Sequence, residues 1–297
     1  MVELPAKPSR PAPVGALFDK RHIRRRFEAV VRTYDAAAVL QRTVADRLVQ
    51  RLDVVRSRPA SILDAGCGTG YCARAVARKY PRARVVGVDL AWGMAAAARR
   101  NAGWFARSRF VNADAERLPF PDAGFDMVLS NFMLPWCDPE RAFAETLRVL
   151  RPDGLFGFTS LGPDTLQELR DAWRHADPDA HTHPFLDMHD VGDALIRAGF
   201  VDPVMDVERF ALTYADLSAL LRDLKALGAG NVLRARPRGL TGRARFDRFR
   251  TAYQATAVSG RLPATCEVVY GHAWAPRQSP HGRAVIPIRR ISASGLR

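Results

Sequence analysis

The stretch Ser61-Ile62-Leu63-Asp64-Ala65-Gly66-Cys67-Gly68-Thr69-Gly70 sets a carboxylate at the end of a short apolar run and follows it with three alternating glycines. Glycine accepts positive φ and has no Cβ, so a ligand can come against bare backbone there. Asp64 directly before the loop would repel a phosphate, but it can hold an ammonium group directly or through water. The G-x-G-x-G spacing also differs from the G-x-G-x-x-G of dinucleotide folds. An amino-acid-bearing ligand therefore fits better than NAD, FAD or a turn with a purely structural role. Asp89 ends a second apolar run, Arg84 to Asp89, 19 positions after Gly70. That is near the ~20-residue offset at which an acid meets ribose hydroxyls, and a carboxylate there can accept from both the 2′ and 3′ hydroxyls. Asp114 follows a third run, Arg109-Phe110-Val111, where it can accept from an adenine amino group.

These acids need a frame, and the pattern of elements supplies one. Strands are predicted at Ile62–Leu63, Arg84–Asp89, Arg109–Val111, Phe125–Asn131 and Leu155–Thr159. Helices at Tyr71–Tyr80, Trp92–Asn101 and Pro139–Leu150 fall between them, and Arg151-Pro152-Asp153-Gly154 reads as a turn. Such alternation predicts an α/β fold with a doubly wound parallel sheet, whose ligand site lies in the crevice beyond the first strand. Ahead of the sheet, Phe18 to Gln50 is helical in pattern, with Ile23, Phe27, Val30, Val31 and Tyr34 on one face. Gln41, Val44, Leu48 and Leu52 suggest a second helix, and Thr33-Tyr34-Asp35 interrupts the run. These helices are expected to cap the crevice and to put the Tyr34 ring at a bend, where core packing is the competing role.

Beyond the fifth strand, Gly162–Arg170 reads as the start of a helix, His189–Ala198 as a helix and Val204–Leu212 as a strand. A glycine-containing hinge, Gly228-Ala229-Gly230, leads into a basic segment carrying Arg234, Arg236, Arg238, Arg243, Arg245, Arg248 and Arg250. Phe246, Phe249 and Tyr253 give that segment an apolar side, and Leu262–Tyr270 reads as a last strand.

With 297 residues and 47% hydrophobic side chains, the chain can bury a sizeable core. No apolar run is long enough to span a membrane. The proline-rich Met1–Gly15 lacks an apolar signal core. The four cysteines, Cys67, Cys72, Cys137 and Cys266, form no C-x-x-C pair, which suits a reducing cytoplasm and argues against a zinc site. A net charge of +14 points to a polyanionic partner, although the preference for arginine over lysine contributes to it.

Taken as a set, D-A-G-C-G-T-G, the acid ending strand two, A-D-A-E-x-L-P-F, F-D-x-V-x-S-N and L-R-P-D-G, spanning Ala60 to Ser160, resemble class I methyltransferases that use S-adenosylmethionine. The resemblance implies a mostly parallel seven-stranded sheet with N-terminal helices and a helical lid insertion. It implies that Asp64, Gly66, Gly68 and Gly70 face the methionine part and that Asp89 and Leu90 hold the ribose side. Asp114 and Ala115 would read the adenine, with Gln41 and Asn131 completing the cofactor site. The F-D-x-x-x-I-x-x-x-F-x-x-x-x-x-T-Y-D, G-P-D-T-L-x-E-L-R, L-K-x-L-G-A and R-x-x-G-L stretches are similar to the malonyl-[acyl-carrier protein] O-methyltransferases of biotin synthesis over Phe18 to Trp274. A related branch, an assembly factor of respiratory complex I that hydroxylates an arginine, shares the G-P-D-T-L-x-E-L-R-like stretch. That branch, or another small-molecule methyltransferase, is the alternative.

The resemblance implies methyl transfer to the free carboxylate of a malonyl thioester, with Tyr34 and Asn131 at the transfer site. Arg238, Arg243 and Arg245 are the arginines expected at the substrate, and Arg234–Arg250 is the expected docking surface for an acidic acyl carrier protein. Malonyl-coenzyme A is the other candidate substrate. The implied organisation is a tail at 1–17, a methyltransferase domain at 18–275 and a basic tail at 276–297. The domain divides into cap helices 18–58, a cofactor core 60–160 and a substrate lid with the last strands, 161–275. No metal, nucleic-acid or membrane partner is expected. His181, His183 and His189, with Asp187 and Asp190, sit in a proline-containing loop and not on the rigid frame a zinc site needs. Nor does Ser130-Asn131-Phe132-Met133 match the N-P-P-Y-type loop of nucleic-acid methyltransferases.

Overall fold

In a strand, successive side chains point to opposite faces, and here both faces are apolar. The computed structural model describes residues 18–103, 107–236 and 239–277. Its strands are β1 (Ser61–Ala65), β2 (Arg84–Asp89), β3 (Arg109–Asn112), β4 (Phe125–Asn131), β5 (Leu150–Leu161), β6 (Val201–Tyr214) and β7 (Leu262–Trp274). They form one sheet in the order β3-β2-β1-β4-β5-β7-β6. The first five pair in parallel, and β7 runs antiparallel to both β5 and β6. This is the class I methyltransferase arrangement implied by the resemblance.

The helices are α1 (Lys20–Val30), α2 (Tyr34–Ala37), α3 (Val39–Arg51), α4 (Tyr71–Lys79), α5 (Trp92–Ala102), α6 (Pro139–Val149), α7 (Gln167–Arg174), α8 (Met188–Ala198), α9 (Leu217–Ala226) and α10 (Arg243–Gln254). Ile62, Met127, Leu129 and Leu155 pack on one face with Val76 of α4 and Ala45 of α3. Their strand neighbours Leu63, Val128 and Phe156, with Phe158, pack on the other against Phe143 of α6 and Leu195 of α8. Each such fully buried Leu or Phe contributes roughly 1.5–3 kcal/mol, so reversing the register of one central strand would be prohibitive. A third core joins Leu169 of α7, Leu220 of α9 and Phe249 and Tyr253 of α10 over Leu262 and Ala264 of β7. This is the helical lid.

Several elements differ from the sequence reading, β6 and β7 among them by running longer than expected. The cap is three helices, because Thr33 and Ala38 interrupt it. Strand β5 begins at Leu150, and the turn expected at Arg151–Gly154 survives as a kink with Asp153 at φ +61° and a shift of register against β4. Residues 162–166 form a pinned turn, so α7 starts later than expected, at Gln167. Helix α9 was not anticipated. Residues 1–17 and 278–297 lie outside the described residues, as does Arg238, so of the tail expected at 276–297 only Pro276 and Arg277 are seen, Arg277 paired with Asp153 at 2.8 Å.

Candidate active site

The glycine loop leaves β1 beneath the N-terminus of α4. Gly66, Gly68 and Gly70 all have positive φ, at +76°, +52° and +83°. At Gly66 the need is also steric, because a Cβ there would lie 2.5 Å from the Met133 Cβ. Asp64 sits under the loop, not on the cavity wall, and is 0% exposed. Neither of its carboxylate oxygens makes a well-formed hydrogen bond, the Ala73 amide being near but loosely placed. Burial pushes its pKa up to about 7; the nearby Ala73 amide in the first turn of α4 offsets part of this, and Asp89 adds to it. A buried, unpartnered carboxylate is costly unless something bound nearby uses it.

Asp89 ends β2 at the cavity wall. Its Oδ2 accepts from the Gly68 amide at 2.9 Å and its Oδ1 from the Ala91 amide at 2.8 Å, which ties the loop to the start of α5. Burial raises its pKa to about 6 against these two bonds. Asp114 also lines the cavity, but its Oδ1 is taken by Lys20 Nζ at 2.6 Å, and the same ammonium reaches Glu116 at 2.7 Å. Lys20 thereby clamps α1 onto the floor that Asp114 and Ala115 form. Leu90 packs with Phe27 and Trp136 at this end, where Phe18, Ile23, Val232 and Leu233 close the roof.

At the other end of the cofactor crevice, the Tyr34 ring covers the loop, with its Cε1 3.9 Å from where a Gly68 Cβ would sit. Burial first, then Asp89 and Asp35, raise the pKa of the phenol. Asp35 fixes the bend: its carboxylate accepts from the Thr69 hydroxyl, and Asn101 Nδ2 donates to the Thr69 carbonyl at 3.1 Å. Asn131 is held on both sides of its amide. Thr159 Oγ1 donates to its Oδ1 at 2.8 Å, and its Nδ2 donates to the Gln41 carbonyl at 3.0 Å, leaving one N–H uncommitted. Gln41 Oε1 is buried without a partner.

A cavity of about 340 Å³ joins these residues and continues under the lid. Its far compartment is walled by Leu166, Leu169, Leu212, Leu220, Leu224 and Cys266. The Gly162–Arg170 turn that carries Leu166 is pinned to β7. Leu166 N–H donates to the Thr265 carbonyl at 2.7 Å, Thr165 Oγ1 to the Glu267 carbonyl at 3.1 Å, and the Thr265 amide to Glu168 at 3.0 Å. Leu166 adopts φ +53° there, an uncommon conformation for a branched side chain. The G-P-D-T-L-x-E-L-R stretch thus acts as a clasp that sets a cavity wall.

Of the arginines expected at the substrate, Arg243 and Arg245 do not line this cavity, and Arg238 lies outside the described residues. Arg245 pairs with Asp177 at 3.3 Å and Asp179 at 3.7 Å, and Arg243 is exposed at the first turn of α10. Among the described lining residues the cationic or ionisable nitrogens belong to Lys20, His181 and His183. His183 Nε2 accepts from the Val232 amide at 3.1 Å, and burial lowers its pKa to about 4, so it is neutral. The three loop histidines do not converge. Asp177, Asp179 and His181 do come within 4.8 Å of one another, but Arg245 already balances the two carboxylates. Lys20, which lines the cavity, and Asp35 and Glu168, which hold the elements around it, are not among the expected site residues, although Asp35 stands within the quoted T-Y-D and Glu168 within the quoted clasp.

A family model described as a methyltransferase domain matches residues 62–154. A malonyl-[acyl-carrier protein] O-methyltransferase from Methylovorus sp. (strain MP688) is 46% identical over 288 residues, which cover 94% of this chain and 97% of that one. One from Laribacter hongkongensis (strain HLHK9) is 51% identical over 271 residues, 88% and 91% of the two chains. A SAM-dependent methyltransferase structure from Thermotoga maritima aligns with a TM-score of 0.51 at 17% identity, covering 86% of this chain and 100% of that one. That last likeness is one of fold.

Proposed function

This chain belongs to the malonyl-[acyl-carrier protein] O-methyltransferase family, and we propose how its own residues divide that reaction. The enzyme transfers the methyl group of S-adenosylmethionine to the free carboxylate of a malonyl thioester and leaves a malonyl methyl ester. In the reading proposed here that ester starts pimeloyl synthesis for biotin. The carrying observation is the near full-length identity to such enzymes, together with a cavity that runs from Asp89 to the apolar compartment under the lid.

The buried acceptors without partners, Asp64 and Gln41 Oε1, fit a cofactor that brings an ammonium group. Each oxygen of Asp89 keeps a lone pair for a ribose hydroxyl beside its amide bond. Asp114 keeps Oδ2 for the adenine amino group, with Ala115 and Leu90 beside it. When bound, the cofactor supplies a methyl group on a sulfonium centre, ready for displacement by an oxygen nucleophile.

A carboxylate with a pKa near ~4 is ionised at neutral pH, so no general base is needed. The protein must hold the carboxylate in line and keep water from solvating it. With no arginine among the described lining residues, neutral donors do the holding. The Tyr34 phenol and the free N–H of Asn131 are the groups that reach this end of the cavity. Esterification removes the charge, and the neutral product suits the apolar compartment better than the anion did.

The partner in this reading is an acidic acyl carrier protein bearing the malonyl group, with malonyl-coenzyme A as the smaller substrate. The units are the cap at 18–58, the cofactor core at 60–160 and the lid with the last strands at 161–275. The reading includes a cytoplasmic location, and no helix among the described residues is long and apolar enough to cross a membrane. The test is incubation with methyl-labelled S-adenosylmethionine and malonyl-, acetyl- or unloaded carrier protein. A base-labile label on the malonyl form alone is expected. Label on none of them would overturn the assignment.

A further inference from the structure

We infer that the carrier protein docks over the junction of α2 and α3, against Arg32, Arg222 and Lys225, and not on α10. This rests on the carrier-protein reading above and adds where the partner sits. The lining of the cavity shows where it opens. Nearly all of its described wall is buried or half-buried, but Ala36 and Val39 are exposed, Val39 at 61%. They stand where α2 passes into α3, next to Gln41 and Tyr34. The adenine end is closed by Phe18, Val232 and Leu233. An arm that enters at Ala36 and Val39 therefore arrives beside Tyr34 and Asn131, where the carboxylate is needed.

Helix α9 forms the facing wall. Leu220, Leu224 and Leu227 line the cavity at i, i+4 and i+7. Arg222 and Lys225 lie between them in sequence and are exposed on the outer face. The Thr33 hydroxyl donates to the Ala226 carbonyl at 3.2 Å, which brings exposed Arg32 beside the last turn of α9. None of these three cations has an ion-pair or side-chain hydrogen-bond partner among the described residues. The nearby acids are engaged elsewhere. Asp35 accepts from Thr69, Asp223 from the Tyr214 hydroxyl at 2.7 Å, and Asp216 caps α9 through the Ala219 amide. These acids keep their charge, but their carboxylates are turned to those donors, and the rim presents three cations free of ion pairs around an exposed apolar side chain, which suits an acidic protein surface delivering a thioester on a flexible arm.

Within the basic segment expected to serve this role, Arg243 is exposed without an ion-pair partner among the described residues, but others are tied to their own chain. Arg245 pairs with Asp177, Arg250 with Asp247 at 2.8 Å, and Arg248 donates to the Ala176 carbonyl at 2.9 Å. No residue of α10 lines the cavity. Rim charges act mainly on the association rate and are screened beyond ~8 Å at physiological salt.

The experiment compares Arg222→Glu/Lys225→Glu, Arg32→Glu and Arg243→Glu/Arg250→Glu with the unmodified enzyme. It measures kcat/KM for malonyl-carrier protein and for malonyl-coenzyme A over a range of salt. The α9 double reversal should lower the carrier value by about tenfold or more at low salt, with a gap that closes at high salt. Arg32→Glu should do the same to a lesser degree. Malonyl-coenzyme A turnover and cofactor affinity should not change, and the α10 reversal should be silent. Equal loss for both substrates, no loss for the carrier, or selective loss in the α10 variant would each overturn the inference. Should a reversal lower the melting temperature, Arg222→Gln/Lys225→Gln must still weaken the carrier reaction and its salt dependence. An unmodified enzyme that methylates neither substrate would instead refute the function.

Discussion

In the proposed reading, where Asp64 receives the ammonium group of the cofactor, binding is a proton-linked event. The Asp64 carboxyl group is raised from an ordinary value of 3.8 to about 7, first by burial and then by Asp89, and neither oxygen makes a well-formed hydrogen bond. Burial thus favours the protonated carboxyl in the cofactor-free fold. Relative to the unfolded chain, the contribution of this one group is most favourable below pH 4 and is lost as pH rises to about 7. A shift of that size corresponds to about 4 kcal/mol. A bound ammonium group reverses the preference, because it needs the ionised carboxylate. The ionised fraction falls roughly tenfold from pH 8 to pH 6, so affinity should fall by about the same factor. Asp89, raised to about 6, adds about a factor of two at the acid end.

Calorimetric titration with S-adenosylhomocysteine, whose amino group stays protonated over this range, reads both quantities. Dissociation constants at pH 6, 7 and 8 give the slope. Buffers of different ionisation enthalpy give the proton count, about half a proton released at pH 7. Asp64→Asn keeps the shape and removes the titration. It should flatten the profile to the small Asp89 component and bind more weakly at pH 8. Without its cofactor it should melt higher than the unmodified protein at pH 8, having lost a buried unpaired charge. An unmodified enzyme with pH-independent affinity, or a variant with the same slope, would show that Asp64 stays charged or plays no part in binding.

Tyr34→Phe should lower kcat for malonyl thioester far more than it changes S-adenosylhomocysteine affinity; unchanged turnover with a lower melting temperature would mean that the ring serves packing alone. Gly66→Ala forces a Cβ to within 2.5 Å of Met133 at φ +76°. Strain and overpacking together should cost about 3 kcal/mol or more, and urea unfolding at the unmodified midpoint would show that the loop is not so constrained.

The parallel half of the sheet was legible because its signals are local. Each strand is a short apolar run, each crossover a helical period, and the acids at the strand ends mark the crevice. The lid was harder. Helix α9 has its apolar positions Leu217, Leu220 and Leu224 at helical spacing, yet the glycines at 228 and 230 cut the period short before a further repeat can establish it. Leu166 and the clasp depend on Thr265 and Glu267, about a hundred residues away. A turn held by such distant partners has no local signature, and its helix was placed too early for that reason.

The arginines show why composition finds a partner's charge more readily than its address. A run of cations on one segment suggests a surface, but a cation attracts ligands only to the extent that its own chain leaves it unneutralised. Arg245 and Arg250 meet carboxylates three residues to nearly seventy residues away in sequence, and only the fold reveals those at a distance. Arg222 and Lys225 looked unremarkable in the sequence because they are two charges on an ordinary amphipathic helix. The fold gives them their weight: it points the leucines between them into the cavity and brings Arg32 from the other end of the chain to the same rim. In the proposed docking, the charge that steers the partner is drawn from what remains after internal pairing, and part of that remainder, Arg32, Arg222 and Lys225, lies on the helices beside the opening that leads to Tyr34 and Asn131.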